Sequence, residues 1–205
     1  MKPTHLLERH SASWLAATRH PFLDAAREGT LAPRIFAAWL VQDYLFVTDE
    51  FAFQAYLLPR APRSAQALLA GSLVALEAEL SWFEEQAQRQ KLSLEAVHHP
   101  VTAAYGTFLR KLEREPYPVA MTALWAIERA YLEAWASAAP GHPKYRQFIE
   151  HWANPAFAKF VAELERAATT ALETERVDKE AEAVFLEVAR LELDFWEMAW
   201  SGASL

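Results

Sequence analysis

Trp39-Leu40-Val41-Gln42-Asp43-Tyr44-Leu45-Phe46 lies inside a stretch that runs from beyond Pro33 to about Leu57, and its reading decides the fold. Around Asp43, the apolar residues Phe36, Trp39, Phe46 and Val47 recur at spacings of three, four and seven, one face of an α-helix. The same period continues along the chain, and no alternating strand pattern interrupts it. Ala, Leu and Glu are abundant, and Val-Ile-Thr clusters are scarce. Breakers divide the sequence into helices from Pro3 to Thr18, Pro21 to Gly29, beyond Pro33 to Leu57, Ser64 to Gln90, Pro100 to Glu115, Pro118 to Ser137, two further ones after Pro143 and Pro155, and Lys179 to Trp200. Short loops favour antiparallel neighbours in one bundle. The expectation is an all-α helical bundle of about seven to nine helices, with residues 1–205 as a single domain.

Asp43 is one of three acids set in greasy runs. Glu128 falls in Leu124-Trp125-Ala126-Ile127-Glu128-Arg129-Ala130-Tyr131 and shares a face with Leu124, Tyr131 and Trp135. Glu192 is followed at i+3 and i+4 by Phe195 and Trp196. A carboxylate is rarely fully buried unless paired, because an isolated one costs several kcal/mol or stays protonated. Two of them have a plainer alternative: a helix cap or an arginine partner for Asp43, and an interior Glu-Tyr pair for Glu128. Together they point to an enclosed aromatic pocket suited to a flat, polar, basic heterocycle. Rings around Glu192 disfavour its charged form and move it toward proton-transfer duty. Arg129, Glu133 and Asp194 fall on other, solvated faces. Glu77, Glu79, Glu84 and Glu85 with Arg89 read as a solvated helix face. His98-His99-Pro100 reads as loop punctuation, and His142 before Pro143 as structural.

Composition narrows the function classes. The 205 residues are 53% hydrophobic, with eight Trp and twelve Phe, ample for a sizeable core. Five glycines, with no GxGxxG or Walker pattern, exclude a phosphate-cradling loop. A net charge of −7 with scattered Lys and Arg disfavours nucleic-acid binding. The absence of cysteine removes disulfides, thiolate metal sites and thiol nucleophiles. Helical di-metal sites draw Glu-x-x-His pairs from two facing helices, and this chain has a single such spacing, Glu95 to His98, just ahead of Pro100. No apolar run reaches the ~18 residues of a membrane span, and Met1 to His20 has no signal-peptide core. A soluble cytoplasmic protein is expected, with no metal, no cofactor, no membrane and no nucleic acid.

Several segments together resemble the TenA family of thiamin-related pyrimidine hydrolases: His20-Pro21-Phe22 with Gly29-Thr30-Leu31, Leu40-Val41-Gln42-Asp43-Tyr44, Pro100-Val101-Thr102-Ala103-Ala104-Tyr105, Gly141-His142-Pro143 with Tyr145, and Glu192 in Glu-x-x-Phe-Trp-x-Met-Ala. The resemblance spans nearly the whole chain and implies a heme oxygenase-like fold. The better-known branch of that family carries a cysteine in the helix that here reads Ala123 to Glu128, at Ile127 or Glu128. This chain is therefore similar to the cysteine-less branch, TenA_E, linked to salvage of degraded thiamin. The implied reaction is hydrolysis of an aminomethyl- or formylaminomethyl-pyrimidine toward the hydroxymethylpyrimidine.

Carried over by motif, the resemblance makes Asp43 the pyrimidine-gripping acid and Tyr105 a hydrogen-bond partner of the ring. Tyr131 stands near the reacting centre, and Glu192 handles the proton of the leaving group, with Glu128 sharing the acid and base work. Phe46 and Trp152 stand where tyrosines are common, keeping an aromatic wall without the hydroxyl. A homotetramer is implied as well. Two competitors remain at this stage: a quinone-cofactor biosynthetic oxidase on the same fold, and a non-catalytic regulator. The first would call for a basic, His- and Arg-rich cavity, and the second lacks a helix-turn-helix signal.

Overall fold

The computed structural model describes residues 1–202, and among these the regular structure is helical, with no strand. Two compact units emerge: Met1–Leu31 with Pro118–Trp196, and Ala32–Tyr117 with residues 197–202. No helix among the described residues is long and apolar enough to cross a membrane.

The first unit holds α1 (Thr4–Arg9), α2 (Ser11–Thr18), α3 (Pro21–Glu28), nearly all of α7 (Tyr117–Ala138), α8 (Arg146–Trp152), α9 (Pro155–Thr174) and most of α10 (Asp178–Ser201). The expected helix from Pro3 to Thr18 is broken at His10 (φ −115°, ψ 33°), whose Nε2 lies 2.7 Å from Glu182 Oε1 while Arg9 reaches the same carboxylate at 3.0 Å. Starts and stops follow capping chemistry. The His20 ring accepts the Phe22 N–H at 3.1 Å ahead of Pro21, and Asn154 accepts the Phe157 N–H at 2.9 Å ahead of Pro155. At its far end α3 closes on Gly29 in the left-handed region, φ 77°, with the Thr30 N–H returning to the Ala25 carbonyl. A Cβ at Gly29 would sit 2.4 Å from the His142 ring, and the Tyr145 hydroxyl donates to the Leu31 carbonyl at 2.8 Å. His142 is thus structural, and two separated sequence motifs meet here. Central in this unit is α7, buried almost all round from Pro118 to Glu128, as a core helix must be.

The second unit holds α4 (Pro33–Leu57), a 3-10 turn at Leu58–Arg60, α5 (Arg63–Gln90) and α6 (Pro100–Leu112), with α4 packed against both α5 and α6. The last helix ends at Leu112 rather than Glu115. Arg60 donates to the Leu112 and Glu115 carbonyls, a cation at a helix C-terminus. The Glu77–Arg89 face of α5 is largely exposed as expected, with an Arg89–Glu85 pair at 3.2 Å.

Candidate active site

Within the second unit, Asp43 sits on α4 with 1% of its surface exposed. One turn on, Phe46 leans on Tyr105 of α6, ring centroids 4.6 Å apart, and Tyr105 is 1% exposed as well. The neighbouring stripe of α4 fixes where α6 begins. Gln42 accepts the His99 N–H at 2.8 Å and the Thr102 hydroxyl at 2.7 Å through Oε1, and its Nε2 donates to the Val97 carbonyl at 3.1 Å. His99 then caps α6, its Nδ1 accepting the Val101 N–H at 3.2 Å. Seven residues beyond Gln42, Asp49 meets His98 Nε2 at 3.4 Å, and it lies so close to Gly106 that a Cβ there would be 2.1 Å from Oδ2.

Sequence reasoning missed Glu50. It is 4% exposed and lies seven residues after Asp43 on the same stripe, where its Oε1 accepts a hydrogen bond from Gln54 Nε2 at 3.1 Å. The available signal was the spacing alone, because Asp49-Glu50 looks like a solvated acidic pair until the helical period separates its members.

Within the first unit, Glu128 (7% exposed), Tyr131 (9%), Trp152 (2%) and Glu192 (3%) are all buried. Two ring pairs give the register of α7 against α10. Trp125 stacks on Phe185 with centroids 6.2 Å apart, and Tyr131 stacks on Trp196 at 5.9 Å and 15°. The two helices therefore run parallel, and Glu128 and Glu192 both lie within the stretch these pairs bracket. Tyr131 also meets Trp152 edge-on at 5.2 Å, while Trp152 stacks on Trp135 at 5.1 Å. Trp196 is locked by its indole N–H, which donates to the Ala17 carbonyl at 3.1 Å. The Trp125 indole N–H is buried and has no hydrogen-bond partner among the described residues.

Glu133 is less solvated than expected. It accepts the Trp14 indole N–H of α2 at 2.9 Å and pairs with Arg129 one turn earlier, which also meets Glu165 of α9 at 3.8 Å. Asp194 is half exposed and paired with Arg190. Beside Trp152, burial pulls His151 down to about 4, which leaves a neutral imidazole at physiological pH. Burial likewise pushes the Tyr117 phenol up to about 12. No group of three or more His, Asp or Glu among the described residues is arranged to hold a metal ion.

These features define an all-helical protein whose buried acids lie on ring-lined helix faces. The TENA/THI-4/PQQC family pattern matches residues 7–202, and the chain belongs to that family. A probable bifunctional TENA-E protein from Glycine max is 32% identical over 207 residues, covering 94% of this chain and 90% of that protein. An aminopyrimidine aminohydrolase from Halalkalibacterium halodurans is 26% identical over 212 residues, 96% of this chain and 94% of its own length. Among solved structures, a TenA homologue from Pyrococcus furiosus superposes with a TM-score of 0.93 at 30% identity, covering 97% of this chain and all of that one. The all-α, heme oxygenase-like fold is thereby established.

Proposed function

We propose that the chain is a hydrolase of thiamin salvage that converts an aminomethyl- or formylaminomethyl-pyrimidine to the hydroxymethylpyrimidine, using its own carboxylates. Water enters, and ammonia or formamide leaves. The observation that carries the reading is the burial of Asp43, Glu128 and Glu192, each on a helix face lined by aromatic rings. Relatives named for TENA-E and for aminopyrimidine aminohydrolysis support the substrate class.

In this mechanism Asp43 grips the exocyclic amine of the pyrimidine and, when the ring is protonated, its adjacent nitrogen. Charge-assisted bonds of that kind are worth about 1.5–3 kcal/mol each. Tyr105 adds a hydrogen bond to the ring, and Phe46 supplies an apolar face beside it. Glu192 and Glu128 divide the proton work: one protonates the departing amine or amide while the other activates water. Tyr131, whose ring meets Trp152 and Trp196, is assigned a place near the reacting centre. With no thiol in the chain, hydrolysis proceeds without the cysteinyl route of the better-known branch.

The test is a panel of aminomethyl-, formylaminomethyl- and hydroxymethyl-pyrimidines plus thiamin, assayed for ammonia, formamide, formate and thiazole. Release of ammonia or formamide with formation of hydroxymethylpyrimidine is expected. Turnover of none of the panel would refute the reading. The same reading carries a homotetrameric, cytoplasmic protein, and sedimentation of the purified chain would reveal a four-chain mass.

A further inference from the structure

We propose that Gln42 is a positioning residue: by fixing the first turn of α6 it places the Tyr105 hydroxyl for the pyrimidine. The inference rests on the reading of Asp43 and Tyr105 as the pair that holds the ring, and adds a determinant of its geometry.

Gln42 is 5% exposed and directly precedes Asp43. Its three hydrogen bonds, between 2.7 and 3.1 Å, reach a carbonyl, an amide N–H and a hydroxyl within residues 97–102. Only a side chain that donates and accepts from one rigid plane meets that set. Glutamate has no donor for the Val97 carbonyl, and leucine has neither function. Thr102 lies three residues before Tyr105, one turn along the same face of α6. On α4, Phe46 lies three residues after Asp43 and carries the Tyr105 ring. Gln42 therefore ties the backbone that aims Tyr105 to the backbone that aims Asp43.

The loop has other restraints. His98 meets Asp49, and the His99 ring caps α6. Altering Gln42 consequently shifts α6 without releasing it. Displacements of about 1 Å near a bound substrate cost up to roughly 10²-fold.

The experiment measures calorimetric affinity for hydroxymethylpyrimidine, and KM and kcat with the aminomethyl substrate. The variants are Gln42→Glu, Thr102→Val, Tyr105→Phe, Asp43→Asn and the double Gln42→Glu/Tyr105→Phe. Gln42→Glu and Thr102→Val each weaken affinity about tenfold, as the loss of one well-placed hydrogen bond would. KM rises while kcat stays within about twofold. Once the Tyr105 hydroxyl is gone, Gln42→Glu adds less than about twofold, because the two changes act through one contact. Full additivity in the double variant, or wild-type affinity in both Gln42→Glu and Thr102→Val, overturns the proposal. If Gln42→Glu does not fold, Thr102→Val and its double with Tyr105→Phe carry the same test. Wild-type affinity in Asp43→Asn and Tyr105→Phe would instead overturn the pyrimidine-holding reading itself, a pattern distinct from failure at Gln42 alone.

Discussion

The acid on α4 and the acids on α7 and α10 are buried to a similar degree, 1% exposure for Asp43 against 7% and 3% for Glu128 and Glu192, but in different company. Beside Asp43 runs a polar stripe, Gln42 and Asp49, that clips the chain from Val97 to His99 in place. Glu128 and Glu192 lie along α7 and α10 between two stacked ring pairs, Trp125 on Phe185 and Tyr131 on Trp196. The contrast fits two duties. A carboxylate that grips a ligand depends on angle, so its surroundings need directional bonds. One that exchanges protons depends on desolvation, which surrounding rings supply. The proposed mechanism accordingly assigns orientation to the α4 region and proton transfer to the α7–α10 region.

Four changes probe this contrast, in order of falling effect. Glu192→Gln removes a titrating group while keeping its shape, and the turnover number should fall about 10²- to 10⁴-fold with the melting temperature nearly unchanged. Loss of folding rather than of turnover would make Glu192 a structural acid. Asp43→Asn should weaken pyrimidine affinity about 10- to 150-fold, the equivalent of 1.5–3 kcal/mol, by calorimetry.

His151 tests desolvation in the first unit. Its imidazole titrates near 6.5 when unfolded and at about 4 when folded, so below pH 6.5 the unfolded chain holds the extra proton. Its share of stability is complete above that pH and is lost as pH falls toward about 4. Thermal melts across this window should show a shallower decline for His151→Phe than for the parent. Identical declines would mean that His151 is solvated.

Smallest is Gly106→Ala, whose Cβ would press on Asp49. Asp49 is a partly exposed side chain able to swing aside, so the cost should be at most about 1 kcal/mol, with faster amide exchange at His98. Unchanged exchange would show that the Asp49 contact contributes nothing to the clip.

Much of this was readable from residues alone. Prolines marked the starts of α3, α6 and α9, and the 3.6-residue period placed Asp43, Glu128 and Glu192 inside. The break at His10 was not readable. Neither proline nor glycine marks it, and it is associated with a contact to Glu182, more than 170 residues away in sequence. Glu50 was hidden by its solvated neighbour. The purpose of Gln42 was equally hidden, since its partners lie 55 to 60 residues further on, in the loop before α6 and in the first turn of α6 itself.

The division of labour is tested most directly by measuring ligand affinity and single-turnover rate side by side in Asp43→Asn and Glu192→Gln. The account predicts a crossed result: Asp43→Asn binds the aminomethylpyrimidine weakly yet turns it over once saturated, while Glu192→Gln binds it and releases no ammonia. Two variants that lose affinity and rate in the same proportion, or that lose neither, would contradict it.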